Sequence, residues 1–579
     1  VTLVRVLPDI TGLDKHFDYL VPDRFRDLVE LGSLVRIPLH GRRVRGWVLE
    51  VDPVADVEAS ALRQITGVTG CGPTAEIIEL ATWAAWRWAG RRRQFLTVAS
   101  PRHAIRFIPN SQRTGRAPQP SSPATTALLD SLDPGAGRHG GVLRLPPSAD
   151  LLPTIASAVA QGPTLAVVPG VDQAMLLAAR LRRSGLSVAL APDDWATAAG
   201  GTDVVIGART AAWAPCPGLA VAVVLDEHDE ALQAEASPTW HARDVVIDRC
   251  RRAGARFVLV SPAPTLTALE IADPVHPPAE REHAAWPEVN VVDRSDQEPW
   301  KRSLITSELI EYLRTPGCRV VCVSNTTGRA RLLACRACRA LATCERCEAA
   351  VHLDEEGRLA CRRCQTVRAP VCSACRASSF ANLRPGVTRL REELEAAAGR
   401  PVSQVTAAET DSLFSTAEIH VGTEAVLHRV AAADVVVFMD FDRELLAPRY
   451  RAAEQAMGLL VRAARLVGSR QRGGRLLIQT FSPDHEVVQA AVRGNPGLLA
   501  GQDRQRRQLL GLPPFQALAE ISGPGAEAFV RSLAGVQLGG AAGEYLVRAP
   551  TMDLLADALG AGVRPPGAAL RVAVDPPRL

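Results

Sequence analysis

Eight cysteines occur as four Cys-x-x-Cys pairs within one stretch: Cys335 and Cys338, Cys344 and Cys347, Cys361 and Cys364, Cys372 and Cys375. A Cys-x-x-Cys turn aims two thiolates at one point, so two such pairs close a tetrahedral zinc site with no position left open for catalysis. Four pairs therefore predict two structural zinc ions. The polar run Leu353 to Arg358 reads as the tip of a hairpin joining Cys347 to Cys361. That hairpin nests the middle two pairs on one ion and the outer two pairs on the other. Redox dithiols would require four coincident pairs, and an iron–sulfur cluster would bring a following Cys-Pro signature.

A second group of residues could carry nucleotide chemistry. Val221 to Glu227 reads Val-Ala-Val-Val-Leu-Asp-Glu, an apolar strand ending in carboxylates, the form that holds Mg²⁺ beside a nucleoside triphosphate. His228 and Asp229 extend it. Such a site also needs a lysine in a glycine-rich turn to reach the β- and γ-phosphates, followed by Ser or Thr. The chain has two lysines: Lys15 is followed by His16 and Lys301 follows Trp300, neither in a glycine-rich turn. Where a phosphate cradle would need backbone N–H donors, the run Gly140 to Asp150 carries Pro146 and Pro147. ATP hydrolysis is not expected.

These residues must be positioned by several domains. The chain has 579 residues, of which 47% are apolar, enough for about three to five domains. Short apolar runs at Leu3 to Leu7, Leu34 to Ile37 and Val44 to Val51 predict a small β-rich domain over 1–105. Residues 106–138, centred on a polar Pro-rich run, read as a linker. Strand candidates at Thr164 to Val168, Asp203 to Ile206, Val221 to Leu225, Arg256 to Val260, Arg319 to Val323, Val435 to Asp440 and Arg475 to Gln479 alternate with helical stretches. That alternation predicts two parallel α/β lobes, the first over 139–315 and the second opening at 316–334 and resuming over 381–495. The cysteine-rich module fills 335–380, and a small α/β domain closes the chain over 496–579. The fold class is thus multidomain α/β.

Composition narrows the partners only slightly. The formal charge of +4 is too small to argue for nucleic acid without a concentrated patch. No run of about 20 uncharged apolar residues suggests a membrane span, and the N-terminus does not read as a signal peptide, so the expected location is the cytoplasm with no membrane partner. Ten of the thirteen cysteines fall between Cys318 and Cys375, which in that compartment points to metal rather than disulfides. Trp83, Trp86 and Trp88 read as helix-packing residues, and Arg91 to Arg93 as a solvated helix end.

With its cysteine tetrads set between two α/β lobes behind a small β domain, the chain resembles the PriA family of primosomal replication-restart helicases, of superfamily 2, along nearly its whole length. The most specific stretch is Asp226 to Asp244, in which His228 and His241 to Asp244 match the family pattern. Ile206 to Pro215 is similar to another family segment. Asn325, Gly328, Leu383 to Leu394, Pro513 to Phe515 and Val574 to Pro576 also fit. Phe17, Asp18 and Tyr19 match the family's Phe-Asp-Tyr, which the resemblance assigns to a pocket receiving the 3′ end of a nascent DNA strand. Gly41 joins that pocket. An aromatic pair suits base stacking and a carboxylate suits a 3′ hydroxyl.

The resemblance further implies bacterial, nucleoid-associated replication restart. It implies forked or single-stranded DNA with a 3′ end as ligand, and other primosome proteins, single-strand binding protein and the replicative helicase machinery as partners. ATP with Mg²⁺ is a possible ligand on that basis alone. Departures argue against catalysis. The family's acidic residues fall on Leu225 and Asp226, and Leu466 and Ser469 stand in the places of its two arginines. Asp226, Glu227 and His228 therefore read as a degenerate nucleotide motif. The expectation is a replication-restart component that binds forked DNA and helps reload the replicative helicase without helicase activity, its winged-helix module reduced or absent. Alternatives are an active 3′-to-5′ helicase with an unorthodox nucleotide site, and a zinc-containing regulator that binds protein.

Overall fold

A computed structural model describes the chain except residues 1, 55–61, 117, 120, 296–303, 325–332, 339, 355, 383–386, 406–416, 542 and 579. Lys301, Asn325, Gly328 and the start of the Leu383 stretch lie outside the described residues.

Alternating apolar residues fold the N-terminal region into a mostly antiparallel six-stranded sheet. At its centre Thr2–Pro8 pairs with both Phe17–Val21 and Arg42–Val51. Its inward residues, among them Val4, Val6, Tyr19, Val35, Ile37 and Val48, form a small core of their own. Two helices follow, Ala75–Arg87 and Arg92–Ala99. They bury Trp88 and Phe95, which begin an aromatic relay through Trp213 to Trp240 with ring centroids 6.3, 5.3 and 5.8 Å apart. That relay belongs to one apolar cluster shared by the N-terminal helices, the first lobe and the C-terminal domain. Trp83 packs edge-on against Trp88, and Trp86 donates to Asp557.

The first lobe is a parallel sheet of seven strands in the order Pro274–Val275, Gly140–Arg144, Arg256–Ser261, Val221–Leu225, Thr164–Val167, Val204–Gly207 and Val188–Ala191. Its central strands are buried on both faces, which explains their unbroken Val/Leu/Ala runs. The carboxyl ends of these strands open a crevice, the usual place for a ligand in such a sheet. The second lobe is a six-stranded parallel sheet ordered Glu288–Asp293, Arg475–Thr480, Val435–Phe438, Val320–Val323, Ile419–Gly422 and Val402–Val405.

Two expected boundaries move. The strand Glu288–Asp293, assigned from sequence to the first lobe, pairs in parallel with Arg475–Thr480 and so belongs to the second. Helix Ser307–Arg314 follows it, packing Leu309 and Leu313 against Leu390 and Leu394. Likewise 106–138 is not all linker. Pro123–Ser131 is a helix whose N-terminus is capped by Ser122, and it buries Leu128 and Leu129 in the first lobe's core. Ser-Pro at a helix start is a capping signal in its own right.

A four-stranded antiparallel sheet, ordered Gln537–Ala541, Glu544–Ala549, Ala517–Ser522 and Arg571–Val574, forms the C-terminal domain. The preceding helix Leu499–Leu510 instead places Leu499 in the second lobe's core. Among the described residues, no helix is long and apolar enough to cross a membrane.

Candidate metal centres, interlobe cleft and DNA pocket

The eight paired cysteines fold into two nested groups. Cys344, Cys347, Cys361 and Cys364 form the inner one; Cys335, Cys338, Cys372 and Cys375 form the outer one. Sulfurs stand 3.4 to 3.5 Å apart in the inner group and 3.5 Å apart in the outer. Four thiolates at about 2.3 Å from a common centre would be spaced by about 3.8 Å, so both groups fit one tetrahedral metal ion each.

The local backbone explains why the pairs converge. After Cys347, Cys364 and Cys375 the next residue, Glu348, Gln365 or Arg376, takes positive φ and returns its N–H to the carbonyl of the first cysteine of the pair, at 2.8 to 3.0 Å. Backbone N–H groups of Arg346 and Cys347 point at the Cys344 sulfur, and those of Arg363 and Cys364 at Cys361. Such donors favour thiolate. The short hairpin His352–Leu353 with Leu359–Ala360 carries the turn between the two inner pairs. Arg363 anchors the inner group to the second lobe, donating to the carbonyls of Cys347 at 3.0 Å and Ala447 at 2.9 Å. The groups differ in exposure: Cys338 and Cys375 are exposed, whereas three of the inner cysteines are buried.

At the carboxyl ends of the first lobe's strands, the acids found in the sequence are already paired. Asp226 follows the buried strand Val221–Leu225 with φ 55°. Its carboxylate accepts from both terminal nitrogens of Arg465 and from Gln173 Nε2 at 3.1 Å. Arg465 comes from the second-lobe helix Ala452–Val467 and also directs Nε to the carbonyl of Pro147, at 3.3 Å. One turn earlier on that helix, Arg462 pairs with Asp229 at 2.8 Å. Burial works to raise the pKa values of Asp226 and Asp229, and the facing arginines outweigh it, leaving both below the ordinary carboxylate value.

Glu227 is equally engaged. It accepts from Arg243 at 2.6 Å and from the hydroxyl and backbone N–H of Thr265 at 2.6 and 3.1 Å. His228 Nδ1 lies 2.8 Å from Ser261 Oγ. The start of helix Leu152–Val159, where a phosphate would meet free N–H groups, is met by Asp150, which accepts from the Leu152 N–H at 3.1 Å and pairs with Arg180. The acids at these strand ends and at the start of this helix are thus each engaged by internal partners. The sequence reading missed Arg465 and Arg462 because it looked for arginines at Leu466 and Ser469. Their i, i+3 spacing opposite Asp226 and Asp229 is the signal that identifies them.

The third centre is a cleft of 840 Å³ in the N-terminal domain, lined by Phe17, Asp18, Tyr19 and Gly41 together with Lys15 and Arg63. The structure brings all four sequence-selected residues to it. Tyr19 is buried and donates to the carbonyl of Pro38 at 3.1 Å. His40 and Gly41, with φ 49° and 76°, make the two-residue turn that forms one wall, a conformation glycine adopts without penalty. Lys15 Nζ sits 5.6 Å from the Phe17 ring centroid. Asp18 is held by Arg5 on the neighbouring strand through two hydrogen bonds of 2.9 and 3.2 Å.

Residues 5–101, which build this cleft, match the family model described as the PriA 3′DNA-binding domain. The probable replication restart protein PriA of Mycobacterium tuberculosis strain H37Rv is 29% identical over 569 residues, covering 89% of this chain and 85% of that protein. The chain is thus similar in sequence to PriA replication restart proteins over most of its length. The Mycobacterium leprae protein is 26% identical over 571 residues, with 89% and 86% covered. The Bacillus subtilis strain 168 protein is 26% identical over 372 residues, 58% of this chain but only 46% of that longer relative. Among solved structures, Saccharomyces cerevisiae Dbp5 bound to RNA and ADP BeF3 aligns over 68% of this chain and 93% of that one, at 11% identity and a TM-score of 0.37.

Proposed function

We propose that this protein is a replication-restart component. It captures the 3′ end of a nascent strand at forked DNA and presents the fork for reloading of the replicative helicase, without hydrolysing ATP. The observation that carries this reading is the N-terminal cleft, where Phe17 and Tyr19 line one opening beside Lys15, Arg63 and Arg92. Aromatic rings beside cations suit a base with its phosphate. The two cysteine groups hold two structural zinc ions, since eight thiolates in closed tetrads leave no open coordination position. The lobes act as a fixed frame, with Arg465 on Asp226 in place of nucleotide. Its partners would be primosome proteins, single-strand binding protein and the replicative helicase, in the cytoplasm, with the chain associated with the nucleoid.

The test is binding of the zinc-loaded protein to a fork carrying a nascent 3′ end, compared with a plain duplex of equal length at fixed salt. Tighter binding to the fork that weakens when Phe17→Ala is introduced supports the reading. Equal affinity for fork and duplex would instead support a regulator that binds protein.

A further inference from the structure

A further cavity lies where the two lobes meet. It encloses 370 Å³, within the range of roughly 300–1,000 Å³ typical of small-molecule sites. Its apolar walls are Pro264, Leu266 and Leu269 of the first lobe and Met457, Leu499 and Ala500 of the second. Neither Asp226, Arg465 nor any residue from Leu145 to Leu152 lines it. It is therefore distinct from the crevice that those residues occupy.

Most charged groups of this lining are already matched. Glu454 accepts from the Leu266 N–H at 2.7 Å and pairs with Arg507 at 2.9 Å. Asp503 pairs with Arg507 at 2.5 Å and with Arg506 at 3.4 Å. At the rim, Arg504 pairs with Glu270 at 2.6 Å. Arg144 differs. It ends the strand Gly140–Arg144, is 6% exposed, and donates through Nη2 to Glu282 at 2.8 Å. Its Nη1 has no acceptor among the described residues. That nitrogen stands against Gly497, another wall residue, 2.3 Å from where a Cβ would lie. A charged donor enclosed without an acceptor is costly, and an acceptor atom inside the cavity would remove that cost.

The same groups limit the charge of a ligand. Glu282 already neutralises Arg144, and Glu454 and Asp503 stand on the wall, so an anion would meet more repulsion than attraction. We propose that this cavity binds an uncharged, largely apolar molecule of one or two fused rings bearing a carbonyl oxygen. The carbonyl accepts from Arg144 Nη1, while the rings pack against Leu266 and Leu269 of one lobe and Met457 and Leu499 of the other. Such a ligand touches both lobes at once and holds their arrangement. The inference stands apart from the proposed binding of DNA.

The experiment titrates the full zinc-loaded protein with three bicyclic probes and reads dissociation constants by isothermal calorimetry. Coumarin is neutral and carries a carbonyl acceptor, indole is neutral and carries only a donor, and coumarin-3-carboxylate is an anion. Coumarin should bind one molecule per chain, about tenfold tighter than either of the others, the ratio expected of one hydrogen bond from a charged donor. Gly497→Ala, which drives a Cβ against Nη1 and leaves the Arg144–Glu282 pair in place, should bring coumarin down to the level of indole. Ala500→Phe, which fills the cavity, should abolish binding of both. Saturating ATP should leave the coumarin isotherm unchanged. Indole bound as tightly as coumarin would mean that the Arg144 donor is not used, and tighter binding of coumarin-3-carboxylate would mean that charge selects the ligand. Displacement of coumarin by ATP would make the cavity part of the strand-end crevice. Each of these results, or no binding of coumarin at all, would overturn the proposal.

Discussion

Arg465 grips the Asp226 carboxylate with both terminal guanidinium nitrogens while its Nε reaches the carbonyl of Pro147. One side chain from the second lobe therefore spans the acid and the proline-bearing loop of the first. With Arg462 on Asp229 beside it, the two lobes are joined by internal charge pairs across the crevice at the carboxyl ends of the first lobe's strands. A ligand for this crevice would have to displace a bidentate pair whose acid is almost completely buried.

Removing one partner should be costly. Arg465→Ala leaves Asp226 charged and enclosed, and a destabilisation of about 3 kcal/mol is expected. Adding Asp226→Asn should recover most of that loss, because the uncompensated charge disappears with it. Thermal unfolding of the two single variants and the double variant measures the coupling. Additive losses would mean that the pair contributes little. Neither variant should gain ATPase activity, since Pro146, Pro147 and the Asp150 contact at the helix start remain.

The same two acids set the behaviour at low pH. Their folded pKa values are depressed, so their contribution is complete above the unfolded carboxylate value of about 3.9 and is lost as the pH falls below it. Asp442 works in the opposite direction. It is fully buried, and burial together with the neighbouring Asp440 raises it to about 6. Its favourable contribution therefore belongs to low pH and disappears as the pH rises through about 6. Asp442→Asn keeps the Oδ1 acceptor that takes both the Thr480 hydroxyl and the Phe481 N–H. It should raise thermal stability at pH 7.5, by roughly 2 kcal/mol, and change it little at pH 4. A loss of stability at pH 7.5 would contradict the assignment.

The metal groups should empty in order. Cys338 and Cys375 are exposed while Cys344, Cys347 and Cys361 are buried, so a chelator should remove zinc from the outer group first. Release followed with a colorimetric zinc indicator should show two phases. Cys338→Ser should abolish the fast phase alone, whereas Cys347→Ser should also loosen the module from the second lobe through Arg363. A single phase for both ions would rule out independent sites.

Much of this layout could be read from residues alone. Cys-x-x-Cys spacing with a polar hairpin tip dictated the nesting, because a two-residue turn leaves few other ways to bring four sulfurs together. Each strand candidate in the two lobes lies within or overlaps a strand, since fully buried parallel strands announce themselves as apolar runs. What escaped was non-local. Glu288–Asp293 pairs with a strand nearly two hundred positions later, and its alternation alone does not name its sheet. Arg5 meets Asp18 only because the hairpin register sets them opposite each other. Arg465 was hidden by one position, its neighbours Leu466 and Ser469 having drawn attention as losses.

The most direct measurement is ATP hydrolysis by the purified, zinc-loaded protein, with and without a fork carrying a 3′ end, with fork binding recorded in the same samples. Fork binding without DNA-stimulated turnover is the predicted result. DNA-stimulated hydrolysis that disappears in Asp226→Asn would contradict it, and would mean that the Arg465 pair opens to admit nucleotide.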